Sequence, residues 1–263
     1  MPTPESPSRP SGPVLSREEE ERYHRQIMLP EIGQKGQRRL KAARVCIVGL
    51  GGLGSISAMG LAAAGIGYLR IVDRDRVELG NLNRQVLHGT PDVGRFKADS
   101  GRERLLDLNP KIQIDARVAE VTVKNAVDVV GDCALIVDGT DNLATRKALN
   151  QTAVQKGIPF VYGGVDGFEG MVTTIVPGAS PCLECLFPGE DRAEDREIGV
   201  PGPMPGLVAS LQALEAVKLL AGIDPALSGR LLLVRALGMS FHDVQVDRNP
   251  QCTVCGSMDR NER

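Results

Sequence analysis

The chain has 263 residues, with 31 Lys and Arg set against 33 Asp and Glu for a formal net charge of −2. That balance gives no general attraction to nucleic acid or anionic lipid. No apolar run reaches membrane-spanning length and no signal-peptide core opens the chain, so no nucleic-acid or membrane partner is expected and a cytoplasmic enzyme is the default class.

Residues 1–15 are rich in Pro and Ser and predict a disordered tail. Ser16 and Glu19 then form a capping-box pattern ahead of a charged helix at 17–28, which Leu29-Pro30 ends. A second helix is expected at 37–43. Strands at 45–48, 68–72, 112–116, 134–137 and 158–162 alternate with helices at 54–64, 97–108, 123–130 and 144–156. This alternation predicts an α/β fold, a mostly parallel twisted sheet with helices on both faces. The character changes after Gly163. Segments 171–176 and 231–235 read as strands flanking a Pro/Gly-rich loop at 188–206, 207–221 as a helix, and 241–246 as a last edge strand. With 3% aromatic residues and no Trp, the core must come from Leu, Val, Ile and Ala. No repeat or clean linker divides 16–263, which reads as a single domain.

The first strand, Val45-Cys46-Ile47-Val48, runs into Gly49-Leu50-Gly51-Gly52-Leu53-Gly54. Gly49, Gly51 and Gly54, with Asp73 some 20 residues on, satisfy the dinucleotide-binding fingerprint and make the sheet Rossmann-like. An ordinary strand-to-helix turn is the plainer reading, but strand, helix and acid together favour a nucleotide. The glycines alone do not choose between NAD and ATP. Arg84 follows Asn81, and Lys97 opens the next helix, so two cations could converge on a triphosphate. Asp138-Gly139-Thr140-Asp141-Asn142 closes a predicted strand, where open α/β sheets place their sites, and a carboxylate there can hold Mg²⁺. Each residue alone would pass for a solvated charge or a helix cap. None of the three histidines, His24, His88 and His242, sits at a predicted strand end, which argues against hydride transfer.

Cys182-Leu183-Glu184-Cys185 and Cys252-Thr253-Val254-Cys255 suit a closed, structural Zn²⁺ site of four thiolates, with a redox dithiol as the alternative. Cys46 and Cys133 sit in apolar runs and read as buried, inert thiols.

Together these residues resemble the ThiF/MoeB/HesA adenylyltransferases, bacterial relatives of ubiquitin-activating enzymes, with the pattern nearest to MoeB. The resemblance covers about residues 20–256. It rests on Arg22-Tyr23-His24-Arg25-Gln26, Leu29-Pro30-Glu31-Ile32-Gly33, the glycine turn, Asn81-Leu82-Asn83-Arg84-Gln85, the 138–142 segment, Pro181-Cys182, Cys185-Leu186-Phe187, the run 211–218 and Arg248-Asn249-Pro250-Gln251-Cys252. It implies that Gly52 and Asp73 contact the phosphates and ribose of ATP. It implies further that the loop of Gly80, Asn81, Leu82, Asn83 and Arg84 grips the triphosphate with Lys97, and that Asp141 beside Asn142 holds Mg²⁺ as the catalytic acid. Arg25 would reach into the partner subunit's site of a homodimer, and Cys182, Cys185, Cys252 and Cys255 would bind Zn²⁺. Two departures stand out. Asp195 occupies the loop position where the family usually carries a cysteine, and Gly80 replaces a Ser.

The expected activity is ATP-dependent adenylation of the C-terminal glycine carboxylate of a small ubiquitin-like sulfur-carrier protein. Sulfur would then come from an external donor, a cysteine desulfurase or sulfurtransferase, for a pathway such as molybdenum cofactor or thiamine biosynthesis. Activation of another carboxylate, such as a peptide or a tRNA-modification intermediate, or a non-catalytic nucleotide-dependent scaffold, are the alternatives.

Overall fold

Val45, Cys46, Ile47 and Val48 are all buried, as a strand covered by helices on both faces requires. They belong to β1 (Arg44–Val48), which lies near the middle of an eight-stranded sheet in the computed structural model, which describes residues 12–189 and 199–256. The other strands are β2 (Tyr68–Val72), β3 (Gln113–Arg117), β4 (Leu135–Asp138), β5 (Phe160–Asp166), β6 (Glu169–Ile175), β7 (Arg230–Arg235) and β8 (Ser240–Gln245), in the spatial order β3-β2-β1-β4-β5-β6-β7-β8. Strands β3 to β5 pair in parallel, and β5 to β8 pair antiparallel. The chain therefore leaves β1 in one direction to build β2 and β3, then crosses back to add β4 on the other side. That reversal makes β1 and β4 the topological switch point, where such sheets open a crevice.

Helices α1 (Arg17–Arg22), α2 (His24–Ile27), α3 (Gly33–Ala42), α4 (Gly52–Ala64), α5 (Lys97–Leu108), α6 (Ala126–Val130), α7 (Leu143–Lys156), α8 (Leu183–Leu186) and α9 (Pro203–Ala221), with short 3₁₀ turns at Leu79–Asn81, Thr90–Asp92 and Ala236–Gly238, complete the described elements. Alternation along β1 sorts them into layers. Val45 and Ile47 pack with Leu40 of α3, Leu61 of α4, Leu105 of α5 and Ala216 of α9. Cys46 and Val48 pack with Val129 of α6 and Leu149 of α7. The expected α/β architecture is present, the strands read after Gly163 pair antiparallel, and the four cysteines follow β6 and β8.

Several boundaries differ from the sequence reading, each for a local reason. The N-terminal helix breaks at Tyr23 (φ −99°, ψ 11°). Its ring is buried against Gly65, where any Cβ would lie 2.5 Å from it, and its hydroxyl accepts a 2.8 Å hydrogen bond from Asn109. The capping box is present: Ser16 Oγ accepts from the Glu19 amide and Glu19 Oε2 from the Ser16 amide. Leu15, at the end of the proline-rich segment, is buried. Helix α3 starts at Gly33 rather than 37, and α4 at Gly52 rather than 54. Helix α6 starts at Ala126 rather than 123, because Asn125 Oδ1 accepts from the Thr122 amide and closes a turn first.

The largest difference is α9, which begins at Pro203, four residues inside the segment expected to be loop. Proline at the first helical turn gives up only an N–H that would have no helical partner. At 19 residues α9 is also long and apolar enough to cross a membrane by length and composition, against the expectation of no such run. Its apolarity instead serves the core, where Val208, Ala209, Ala213 and Ala216 are buried.

Candidate functional site

The turn after β1 and the turn after β4 touch through bare backbone. The Gly139 amide donates to the Val48 carbonyl at 2.8 Å, and the Gly49 amide to the Val72 carbonyl at 2.8 Å. A Cβ on Gly54 would stand 1.8 Å from the Gly49 carbonyl oxygen, and one on Gly139 would stand 2.3 Å from the same atom. Gly49 itself has φ +87°. Only glycine satisfies these approaches. Helix α4 begins directly beyond, with Gly51 as its N-cap and no side-chain cap, so its first-turn N–H groups are available to an anion.

Asp73 serves this turn. One of its oxygens accepts from the Leu50 amide and the other from the Asp75 amide, both at 2.7 Å. Burial pushes its pKa up, while those two backbone bonds pull it back. A carboxylate offers about four lone-pair positions, so capacity for ribose hydroxyls remains.

The segment 138–142 divides its labour. Asp138 is fully buried; Oδ1 accepts from the Thr140 amide (2.9 Å) and hydroxyl (2.7 Å), and Oδ2 from Arg146 Nε (3.1 Å). Burial raises its pKa against the attraction of Arg146. Arg146 also donates to the Thr140 carbonyl at 2.6 Å, and buried Gln212 of α9 donates to the Asp138 carbonyl at 2.8 Å. Asn142 caps α7, its Oδ1 accepting from the Thr145 amide at 2.8 Å. Asp141 is left exposed between them. The sequence motif thus resolves into a buried brace, a helix cap and one solvent-facing carboxylate.

Lys97 occupies the first position of α5 and is buried, with Nζ 3.2 Å from Asp75 Oδ2. Arg84 is half-buried and donates to the Gly80 carbonyl and to Asn83 Oδ1, each at 3.0 Å. Its Cγ lies 3.7 Å from where a Gly52 Cβ would be, which sets it beside the start of α4. Asn81 Oδ1 accepts from the Glu78 amide at 3.2 Å. Asn81 and Leu82 are half-buried, whereas Gly80 and Asn83 are exposed. A side chain at Gly80 would meet nothing within 4 Å, so the Gly found there instead of Ser is no packing requirement. Arg25 is exposed on α2, and among the described residues no hydrogen bond ties it to the crevice. Asp195 lies outside the described residues.

The sequence reading missed the cover of the site. Pro205 sits on Gly52, whose Cβ would fall 2.9 Å from the proline ring, and Gly202 meets the Asn83 carbonyl. The prolines 201, 203 and 205 were the available signal, because proline suits a first helical turn as well as a loop.

Cys182, Cys185, Cys252 and Cys255 place their sulfurs within 4.8 Å of one another, with Cys182–Cys252 at 3.7 Å and Cys185–Cys255 at 3.5 Å. Tetrahedral Zn²⁺ with bonds of ~2.3 Å would need edges of about 3.8 Å, so the donor set and its spacing fit that ion. Cys46 and Cys133 are both buried, as expected, but not equivalent. The Cys46–Cys133 hydrogen bond and burial push the Cys46 thiol up, whereas Cys133 is drawn down by that bond and by Arg70.

The ThiF family model matches residues 23–254. A sulfur carrier protein adenylyltransferase from Thermus thermophilus is 44% identical over 250 residues, covering 92% of each chain. A SAMP-activating enzyme E1 from Haloferax volcanii is 43% identical over 240 residues, covering 90% of this chain and 88% of that one. Among solved structures, E. coli MccB with AMPCPP and MccA superposes with a TM-score of 0.81 at 25% identity, covering 89% of this chain and 74% of that one.

Proposed function

This chain belongs to the ThiF family, and from that premise we propose that it adenylates the C-terminal carboxylate of a small ubiquitin-like sulfur-carrier protein at the expense of ATP. The observation that carries this reading is the direct backbone contact between the glycine turn and the 138–142 turn at the β1/β4 switch point. It supports an arrangement in which the uncapped N-terminus of α4, the exposed Asp141 carboxylate, Arg84 and Lys97 would share one crevice.

A carboxylate is a poor acyl donor until its oxygen becomes a good leaving group. Its attack on the α-phosphorus expels pyrophosphate and leaves an acyl-adenylate, which an external sulfur donor then attacks. The amides of α4 and the cations of Lys97 and Arg84 would offset the negative charge that grows on the phosphates. Lys97 would exchange Asp75 for a phosphate oxygen. Asp141 would hold Mg²⁺, which supplies charge neutralisation across the phosphates when bound. The four cysteines would hold one Zn²⁺, closed to substrate and structural. Arg25, away from its own crevice, would act in the partner's site of a homodimer.

The test is ATP–pyrophosphate exchange with and without a carrier ending in Gly-Gly. Exchange should depend on the carrier and vanish in Asp141→Ala with the fold intact. Carrier-independent exchange would point to another carboxylate, and no exchange to a scaffold. Mixed Arg25→Ala and Asp141→Ala chains should recover part of the activity through one intact hybrid site. Subunits that exchange without recovery would place Arg25 outside the mechanism in trans.

A further inference from the structure

His88 stands where the three segments assigned to the phosphates meet. Its own amide donates to the Gln85 carbonyl at 3.1 Å, anchoring it to the loop that carries Arg84. Its Nδ1 lies 3.0 Å from Ser100 Oγ, one helical turn beyond Lys97 on α5. Its Nε2 lies 3.4 Å from the Leu50 carbonyl oxygen, inside the glycine turn. The ring is buried, at 6% exposure, and burial lowers its pKa, so it is neutral near pH 7. A neutral imidazole has one donor and one acceptor. The Leu50 carbonyl can only accept, so a bond to it needs the proton on Nε2, which leaves Nδ1 facing the Ser100 hydroxyl, a donor that Asp92 also draws on.

The Leu50 residue is thereby held at both ends. Its N–H is taken by Asp73 at 2.7 Å, and its carbonyl by Ser55 Oγ at 3.0 Å and by His88. The orientation of that carbonyl matters more than its contribution to stability. If the peptide linking Leu50 to Gly51 swung over, an oxygen would turn towards the α4 N-terminus, where the amides must face an anion.

We propose that His88 is a positioning residue for the nucleotide. It pins the Leu50 carbonyl away from the phosphates and ties the glycine turn to the segments bearing Arg84 and Lys97. The inference rests on the reading of this crevice as an ATP site, and it assigns His88 no contact with substrate.

The experiment measures the ATP dissociation constant directly by calorimetry, together with KM for ATP and for carrier, on wild type, His88→Leu, His88→Gln and Ser100→Ala. His88→Leu should weaken ATP about tenfold, the loss of one such hydrogen bond, with the KM for carrier unchanged. His88→Gln, whose amide N–H can reach the same carbonyl, should recover most of that loss. Ser100→Ala, which frees the tautomer, should fall between them and keeps the test open if His88→Leu does not fold. Unchanged ATP affinity in His88→Leu and Ser100→Ala, or a His88→Gln no better than His88→Leu, would overturn the proposal. A wild-type chain that binds no ATP would instead remove the crevice reading, and this inference with it.

Discussion

In the parallel half of the sheet, β1 and β2 bury every residue after their first and β4 buries all four. In the antiparallel half, β7 buries only Val234, and β8 exposes every residue after Ser240. One half owes its geometry to a two-sided core and to backbone touching backbone at Gly49, Gly54 and Gly139. The other is held by hairpin pairing and by a smaller core in which Val172 of β6 and Val234 of β7 pack on Met204 and Val208 of α9. The difference teaches where precision is spent. The parallel half carries the two turns that leave no room for a Cβ at Gly49, Gly54 or Gly139, whereas β8 of the antiparallel half can vary its exposed surface.

The comparison would break most visibly at Gly54. Because a Cβ there would stand 1.8 Å from the Gly49 carbonyl, Gly54→Ala should cost about 3 kcal/mol or more of stability and abolish ATP binding. Denaturant unfolding and nucleotide titration check both; near-wild-type behaviour would mean the two turns can separate. Cys252→Ser should come next, at about 2–3 kcal/mol. Structural zinc supplies ~10–16 kcal/mol in isolated finger peptides, but here Cys182, Cys252 and Cys255 also join the core layer of α6 and α7. Metal analysis should find one Zn²⁺ per chain in wild type and a loss in the variant. Amide exchange should rise in β7 and β8 before β1 and β4, and uniform exchange would deny the division into halves.

Glu19 offers a smaller, pH-graded effect on the parallel half. Burial would raise its carboxyl, but Lys41 Nζ at 2.7 Å and the bonds from Ser16 outweigh that and hold it below the ordinary value of 4.5. A depressed folded pKa gives stability that is present above the unfolded value and lost as pH falls through the folded one. Glu19→Gln should therefore cost about 1 kcal/mol at pH 7, with the difference from wild type closing below pH ~4. A constant difference across that range would show that shape, not charge, is what Glu19 provides. The smallest effect is expected on β8: Phe241 is 50% exposed, so Phe241→Ser should change stability by less than about 0.5 kcal/mol.

What the sequence made legible was local chemistry. The glycine fingerprint, the alternation of apolar runs and the two Cys-x-x-Cys pairs each complete their meaning within a few residues or by number alone. What it hid was decided across the fold. Tyr23 breaks a charged helix because Asn109 and Gly65, far along the chain, receive it. Asp138 and Asp141 look alike in sequence, and only burial separates brace from exposed carboxylate. The first turn of α9 was concealed by three prolines that read as loop, and Gln212 by an ordinary apolar helix pattern. His88 was passed over because it stands at no strand end; a tight turn, not a strand, delivers it to Leu50.

The four sulfurs also set a schedule. Their two pairs are separated by 70 residues, which a ribosome adding ~5–20 residues each second covers in roughly 4–14 s. Throughout that interval Cys182 and Cys185 stand without the two later thiols, while β1 to β6 have already been made. A nascent chain can thus assemble its nucleotide crevice before the metal is committed. Zinc supply during synthesis would then govern how many chains finish their second half, not how many begin their first.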